Sequence, residues 1–529
     1  MLDGLDLKRL LDWDGTSIGG YEMRAILLAA AAACLTSTPA AGQHQGHDNA
    51  GSPAATVGEV DFANSGAPSA QVPFRRGLAL LHNFEYPSAA AAFQEAQKAD
   101  PDFAMAYWGE AMTHNHPVWM EQDAEAARAV LARLGADRAT RSAKAKTPRE
   151  RAYLEAVETL YGEGSKEERD FAYSAKMAAL HSAQPDDVDA RAFYALSLLG
   201  LAHKGREVPL YMRAAALLEE VFPQNQRHPG VLHYLIHSYD DPAHGPLGLR
   251  AARLYGKVAP QAGHALHMTS HIFVAMGMWE EVEKANVEAM ATVNGQRAAV
   301  GKPAFRCGHY NEWLVYARLQ LGKAEAQKDS AACRALAELA LTDPPGKGRI
   351  MAAVPVFSYA DMAVRELVET GKWGAPPALP AGRELAAAFT FAYGELLAAG
   401  SDEGQVRTAR TKLIAAAQGL DSARASEGVE YELGPARQAV ILLQAEGLER
   451  LAGGAAEPGL AKLREAAAAE SAIPAEFGPP LVEKPSWELL GDALLKLGRK
   501  AEAASAYEKA LAAAPNRRLS VAGLAAARR

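Results

Sequence analysis

From Phe74 onward, apolar residues recur at steps of three and four and are interrupted by short polar turns. That period belongs to helices with one buried face. The two-residue alternation of a half-buried strand does not occur along the body of the chain, so the pattern predicts helix, turn, helix throughout. The last unit is the clearest. Trp487, Leu490, Gly491 and Leu494 share one helix, Gly498 breaks it, and Ala503, Tyr507 and Ala510 share the next before Pro515. Small residues let paired helices approach, while Trp and Tyr fill the gap to the next pair. Ala89, Phe93, Ala96 and Pro101 repeat the second-helix spacing near the start.

The Trp, the Leu-Gly pair, the small alanines and the closing Pro resemble the tetratricopeptide repeat. The resemblance covers most of residues 70–517. It implies an all-α, right-handed solenoid of about ten helical hairpins, whose first helices line a concave groove. The better units are 70–103, 104–137, 229–262, 263–296, 308–342 and 484–517; residues 138–190 read as an irregular hairpin. Pro376, Pro377 and Pro380 mark one loop, and Ile473–Pro485 another. The array divides into a histidine-bearing part, 71–330, and a C-terminal part, 331–529. Such an array implies a binding scaffold by default and says nothing of catalysis.

Seven of the fifteen histidines lie between His228 and His271. His233 and His237 are four apart, as are His267 and His271, so each pair shares one helix face. The second pair follows the first by 34 residues at both positions, and His203/His237 and His82/His116 keep the same interval. In the repeat that the chain resembles, groove-facing side chains lie thirteen, ten and six residues before the turn glycine. Counting back from Gly277 selects His264, His267 and His271. From Gly322 it selects His309, Glu312 and Tyr316; from Ala243, in the glycine's place, it selects His233 and His237.

Neighbouring helices pack about 8–10 Å apart and i,i+4 imidazoles lie about 6 Å apart, so two pairs converge on one ion or on two. Imidazole suits Cu, Zn and Fe. The candidate ligands are His233, His237, His264, His267, His271, His309 and Glu312, with His203, His244, His82 and His116 as further groove residues. Asp240 or Asp241 is placed to complete a mixed shell or to hold a ligand's second nitrogen. Met268 and Cys307 are soft candidates for Cu(I). Trp108, Met112 and His116 read as one helix face. His228, before Pro229, reads as a helix cap, and Pro242 ends that helix. Against the metal stand two other readings: a groove for a peptide or protein partner, and structural packing of the histidines.

Neither HYLIH nor HMTSH has Glu after its first His, so neither is the HExxH of a zinc peptidase. No nucleophile elbow, phosphate loop, dinucleotide fingerprint or CxxC occurs in the chain, which leaves a His-ligated metalloenzyme as the one catalytic alternative. A net charge of −8 without a long basic run argues against nucleic acid. No apolar run in the body is long enough to span a bilayer.

Met23-Arg24, the apolar Ala25–Leu35 and Ala40-Ala41-Gly42 read as a signal peptide, with the 22 residues upstream of Met23 as a misassigned start. Residues 1–42 then form the leader, 43–70 a flexible linker carrying His44 and His47, and the mature protein is periplasmic or secreted. Cys307 and Cys333 remain after cleavage, free to pair or to supply a thiolate.

Overall fold

The computed structural model describes residues 56–342, 354–427 and 434–529. The leader, His44 and His47 lie outside the described residues. The first helices are α1 (Pro68–His82), α2 (Tyr86–Ala99), α3 (Ala104–Met112), α4 (Ala124–Leu134), α5 (Arg138–Lys144), α6 (Pro148–Leu160), α7 (Lys166–Ala183), α8 (Val188–Leu199) and α9 (Val208–Glu219). The central ones are α10 (Pro229–Tyr239), α11 (Gly245–Val258), α12 (Gly263–Ala275), α13 (Trp279–Ala299), α14 (His309–Gln320), α15 (Glu325–Ala340) and α16 (Val354–Thr370). The rest are α17 (Leu385–Ala398), α18 (Glu403–Glu427), α19 (Gly434–Ala452), α20 (Ala456–Ser471), α21 (Ser486–Lys496), α22 (Lys500–Ala513) and α23 (Arg518–Arg528). No helix of the described residues is long and apolar enough to cross a membrane.

Local chemistry sets the boundaries. Thr147 with Glu150 and Ser165 with Glu168 form capping boxes that start α6 and α7. His228 caps α10, its Nδ1 accepting from the Val231 N–H at 3.3 Å, and α10 stops at Tyr239, ahead of Pro242. Gly277, Gly322 and Gly498 take left-handed φ values of 66°, 69° and 75° just after α12, α14 and α21. The three turns that define the register are therefore built alike.

Nearly every described helix packs against the next along the chain. α10 also packs against α8 and α12, and α14 against α16, and His267 meets His309 and Trp313 between α12 and α14, so these five are successive inner helices. Two segments depart from the sequence pattern. Asn115–His116 and Glu121–Gln122 form a small antiparallel ladder, because α3 ends at Met112. His116 thus leaves the face shared by Trp108 and Met112, and Trp108 is core, stacked on Phe62. Residues 56–67, part of the expected linker, run over the array instead. Phe62 is buried against Phe74, Trp108 and Tyr153, and the Ser65 hydroxyl donates to Glu150. The buried Phe62 and Val57, with hydrogen bonds from Asn83 to the Val57 carbonyl and from the Ala67 N–H to Asp100, hold a segment whose composition is otherwise that of a linker.

The concave face is covered from both ends of the chain. On one side the end of α1 meets α10, where the Tyr234 hydroxyl and His82 Nδ1 are 2.9 Å apart. On the other, Arg206 Nε donates to the Ala475 carbonyl at 3.2 Å and Trp279 Nε1 to the Asn516 carbonyl at 3.0 Å. The groove expected to face solvent is an interior.

Candidate metal centre

Three inner helices supply six histidines to that interior. α10 carries His233 and His237, α12 carries His264, His267 and His271, and α14 begins with His309. Ring centroids within the two HxxxH pairs are 4.9 and 5.2 Å apart. Across helices they are 5.1 Å for His233–His264, 5.4 Å for His237–His271 and 4.7 Å for His267–His309. Imidazole nitrogens of His233, His237 and His264 all lie within 4.8 Å of one another, and so do those of His267, His271 and His309.

Hydrogen bonds decide where the protons sit. His233 Nδ1 is 2.6 Å from the His82 carbonyl, which only accepts, so Nδ1 is the protonated nitrogen. The Asp240 carboxylate accepts from Nδ1 of His237 at 3.2 Å and of His271 at 2.9 Å. Asn286 donates through Nδ2 to the Val282 carbonyl, which turns its Oδ1 to accept from His267 Nδ1 at 2.7 Å. Four rings are therefore Nδ1–H tautomers with an Nε2 lone pair left over, the form in which histidines bind metals. Nε2 of His233, His237 and His267 has no hydrogen-bond partner among the described residues. Nor has either nitrogen of His264.

Burial drives the pKa of His233, His264 and His267 well below the usual imidazole value, and a neighbouring imidazole lowers each further. His271 is pushed down to about 4 by burial, with Asp240 partly offsetting it, and His309 to about 3 by burial and His271. These five rings are neutral at pH 7. Burial also opposes the Asp240 charge, but Arg206 and the two imidazole donors outweigh it and hold the carboxyl far below the usual range. Arg206 pairs with Asp240 and reaches Asp241 at 3.3 Å.

Aromatic rings wall the cluster. Phe84 lies 4.3 Å from His233, Trp119 5.9 Å from His264, Tyr310 4.4 Å from His267 and Trp313 4.6 Å from His271. Phe477, from the loop before α21, stacks on His271 at 4.8 Å. Phe84 takes a left-handed φ of 57° in the position after a helix end that usually falls to glycine, at a cost of about 1–2 kcal/mol. A cavity lies behind Phe84, lined among others by Asp170, Tyr173, Phe193, Ser197 and Tyr234.

The other candidates lie elsewhere. Glu312 joins neither histidine set: it faces Ser358, Asp361 and Arg365 on α16, where burial and the Asp361 charge push it up to about 7. His82 is saturated, bonded to Tyr234 through Nδ1 and to Asp189 through Nε2 at 2.9 Å, so it offers no lone pair. It serves the site through its carbonyl. His203 falls in the loop after α8, 3.3 Å from Asp170, so its 34-residue relation to His237 does not carry it to the cluster. His244 is held by Asp241 at 2.7 Å, and His116 stacks on Tyr86 at 4.1 Å. Met268 is core, and Cys307 is in a disulfide with Cys333, their Cα atoms 4.8 Å apart. Arg206, Asn286, Phe84 and Phe477 have no sequence motif that marks them for the site.

The fold defines a class, the all-α solenoid of paired helices, and one stretch within it identifies the repeat. Residues 485–517 match the tetratricopeptide repeat family model, so the pair α21 and α22 is such a repeat. Among solved structures, the chain is similar to the APC/C hetero-tetramer Cut9–Hcn1, at 10% identity over 88% of this chain and 78% of that one (TM-score 0.36). It is also similar to yeast Tom70, at 12% identity over 87% and 95% (TM-score 0.32). No curated protein matches its sequence.

Proposed function

We propose that the protein is an exported helical scaffold that binds a transition metal through His233, His237, His264, His267, His271 and His309. One observation carries the reading: five buried imidazole nitrogens of the cluster have no hydrogen-bond partner among the described residues. A buried polar atom left unmatched costs about 1–3 kcal/mol, so five together rival the stability of a whole domain. A metal ion is the partner that satisfies several lone pairs at once. The Nδ1 protons held by Asp240, Asn286 and the His82 carbonyl support the same reading, since ligating histidines are oriented this way. Cu, Zn and Fe all suit imidazole. The Cys307–Cys333 disulfide supports an oxidising compartment, in keeping with a leader starting at Met23.

The test is elemental analysis of the protein without an affinity tag, after loading with Cu, Zn or Fe and desalting. Wild type retains metal stoichiometrically, and the double variant His233→Ala/His267→Ala retains little. If wild type holds no metal under any loading, the reading fails. A metal-free scaffold for protein partners is the second reading, favoured by the tetratricopeptide repeat at 485–517; the convex surface would then carry the partner, because the chain's own Phe84 and Phe477 occupy the concave face.

A further inference from the structure

We infer that the cluster is two metal sites rather than one, holding a copper pair that takes a small bridging anion such as hydroxide or azide; this rests on the metal-binding reading above. The two triads are copies of one construction. Site one takes the HxxxH pair of α10, His233 and His237, plus His264 at the start of α12. Site two takes the HxxxH pair of α12, His267 and His271, plus His309 at the start of α14. His264 and His309 occupy the same register, thirteen residues before Gly277 and Gly322. Moving one repeat along the array therefore carries site one onto site two.

The series ends where the residues change. On α14 the positions equivalent to the HxxxH pair are Glu312 and Tyr316, and both are committed elsewhere: Glu312 to α16, Tyr316 to the Arg517 guanidinium at 3.0 Å. That is why Glu312 shares the register and not the cluster. At the other end, the position thirteen residues before Ala243 is Gly230, which offers no ligand. Two sites are what this stretch of repeats can make.

Each triad has the size for one ion. Three nitrogens about 2 Å from a common ion lie roughly 3.5 Å apart, which small ring rotations reach from separations within 4.8 Å. The two sites are neighbours, because His237 and His271 rings are 5.4 Å apart and share the Asp240 carboxylate through their Nδ1 protons. With three protein ligands each, both ions would keep a position open to an outside ligand. Charge selects the metal. A ligating imidazole brings no charge of its own, and Asp240 is matched by Arg206. Two divalent ions would bring four uncompensated charges into an aromatic-walled interior, whereas two Cu(I) ions bring two, and three-coordination by imidazole suits Cu(I). In the divalent state the pair needs an anion, and the bridging position is where one anion serves both.

The experiment loads untagged protein anaerobically with Cu(I), desalts it, and counts copper per chain. Two per chain in wild type and one in each of His264→Ala and His309→Ala are the expected results. No copper in wild type sinks the metal-binding reading as well. One copper in wild type, or loss of both ions in either single variant, overturns the two-site inference while leaving metal binding intact. Near-ultraviolet circular dichroism checks that the variants fold, and His264→Gln or His309→Gln replaces an alanine variant that does not. Wild type loaded with Cu(II) and azide is then examined by electron paramagnetic resonance. An integrated signal far below two spins per chain shows a bridged pair; two full spins would show that no ligand bridges them.

Discussion

Asp240 is the residue on which the site's electrostatics turn. It holds one ring of each histidine triad by its Nδ1 proton and is itself held by Arg206. It is an orienting group, one bond removed from any ion. Asp240→Asn keeps the shape and removes the charge, while Arg206 retains Asp241 and the Ala475 carbonyl. Metal affinity should fall by about 10–100-fold, the usual effect of removing a ligand's hydrogen-bond partner, read by competition against a copper chelator. An unchanged affinity would mean that Asp240 serves only the fold. His82 teaches the opposite lesson about reading residues from spacing. Its interval to His116 marked it as a candidate, yet Tyr234 and Asp189 take both of its nitrogens. Spacing places a side chain on a face; its hydrogen bonds decide what that side chain has left to offer.

At the scale of elements, two loops close what the repeat alone leaves open. The turn after α1 inserts Phe84, and the loop before α21 inserts Phe477 and lays Gly478 on Trp313. A Cβ at Gly478 would stand 2.5 Å from the Trp313 ring, at a φ of +102° that side chains rarely adopt. Gly478→Val should therefore lift the loop from the histidines. The expected outcome is faster extraction of bound metal by an external chelator, at least several-fold, with a modest fall in Tm. Unaltered extraction would show that metal leaves by another path. The inner helices were legible because their apolar and histidine positions share one period. The loops were not, since a Phe in an irregular segment has no period to announce which surface it covers.

For the whole molecule, a buried guanidinium is one of the groups that tie the returning C-terminal arm to the central array, beside the Trp279–Asn516 and Arg518–Gln320 hydrogen bonds. Arg517 donates to Glu488 on α21 and to the Tyr316 hydroxyl on α14, and pairs with Glu369 on α16 at 2.9 Å. Arg517→Met removes the shared guanidinium and leaves Glu488 to Lys484 and Ser520 and Glu369 to Arg518 and Gln320, and should cost about 1.5–3 kcal/mol in a denaturant titration. A loss under about 1 kcal/mol would show that the arm is held by its apolar contacts instead. Acid should weaken the metal-free protein through the histidines. The unfolded chain takes up protons near pH 6.5, whereas His271 in the folded protein waits until about 4. Between those values the unfolded state holds more protons, so stability falls as pH drops through that window. His271 alone accounts for about 3 kcal/mol, and the other depressed histidines add to it. The urea midpoint should be clearly lower at pH 4.5 than at pH 7, with a weaker dependence in His271→Gln.

The sequence by itself determined the helical pairs, the turn glycines, the cap at His228, and the register that puts His264, His267 and His271 on one face of α12. All of these follow from local periodicity, which is written residue by residue. Only the tertiary structure decided that His309 joins the cluster while Glu312 does not, and that His203 stays away. It alone brought Arg206, Asn286 and Phe477 to the site. Those outcomes depend on how successive repeats rotate and on where the chain ends return, and both are set by packing between residues as many as 269 positions apart.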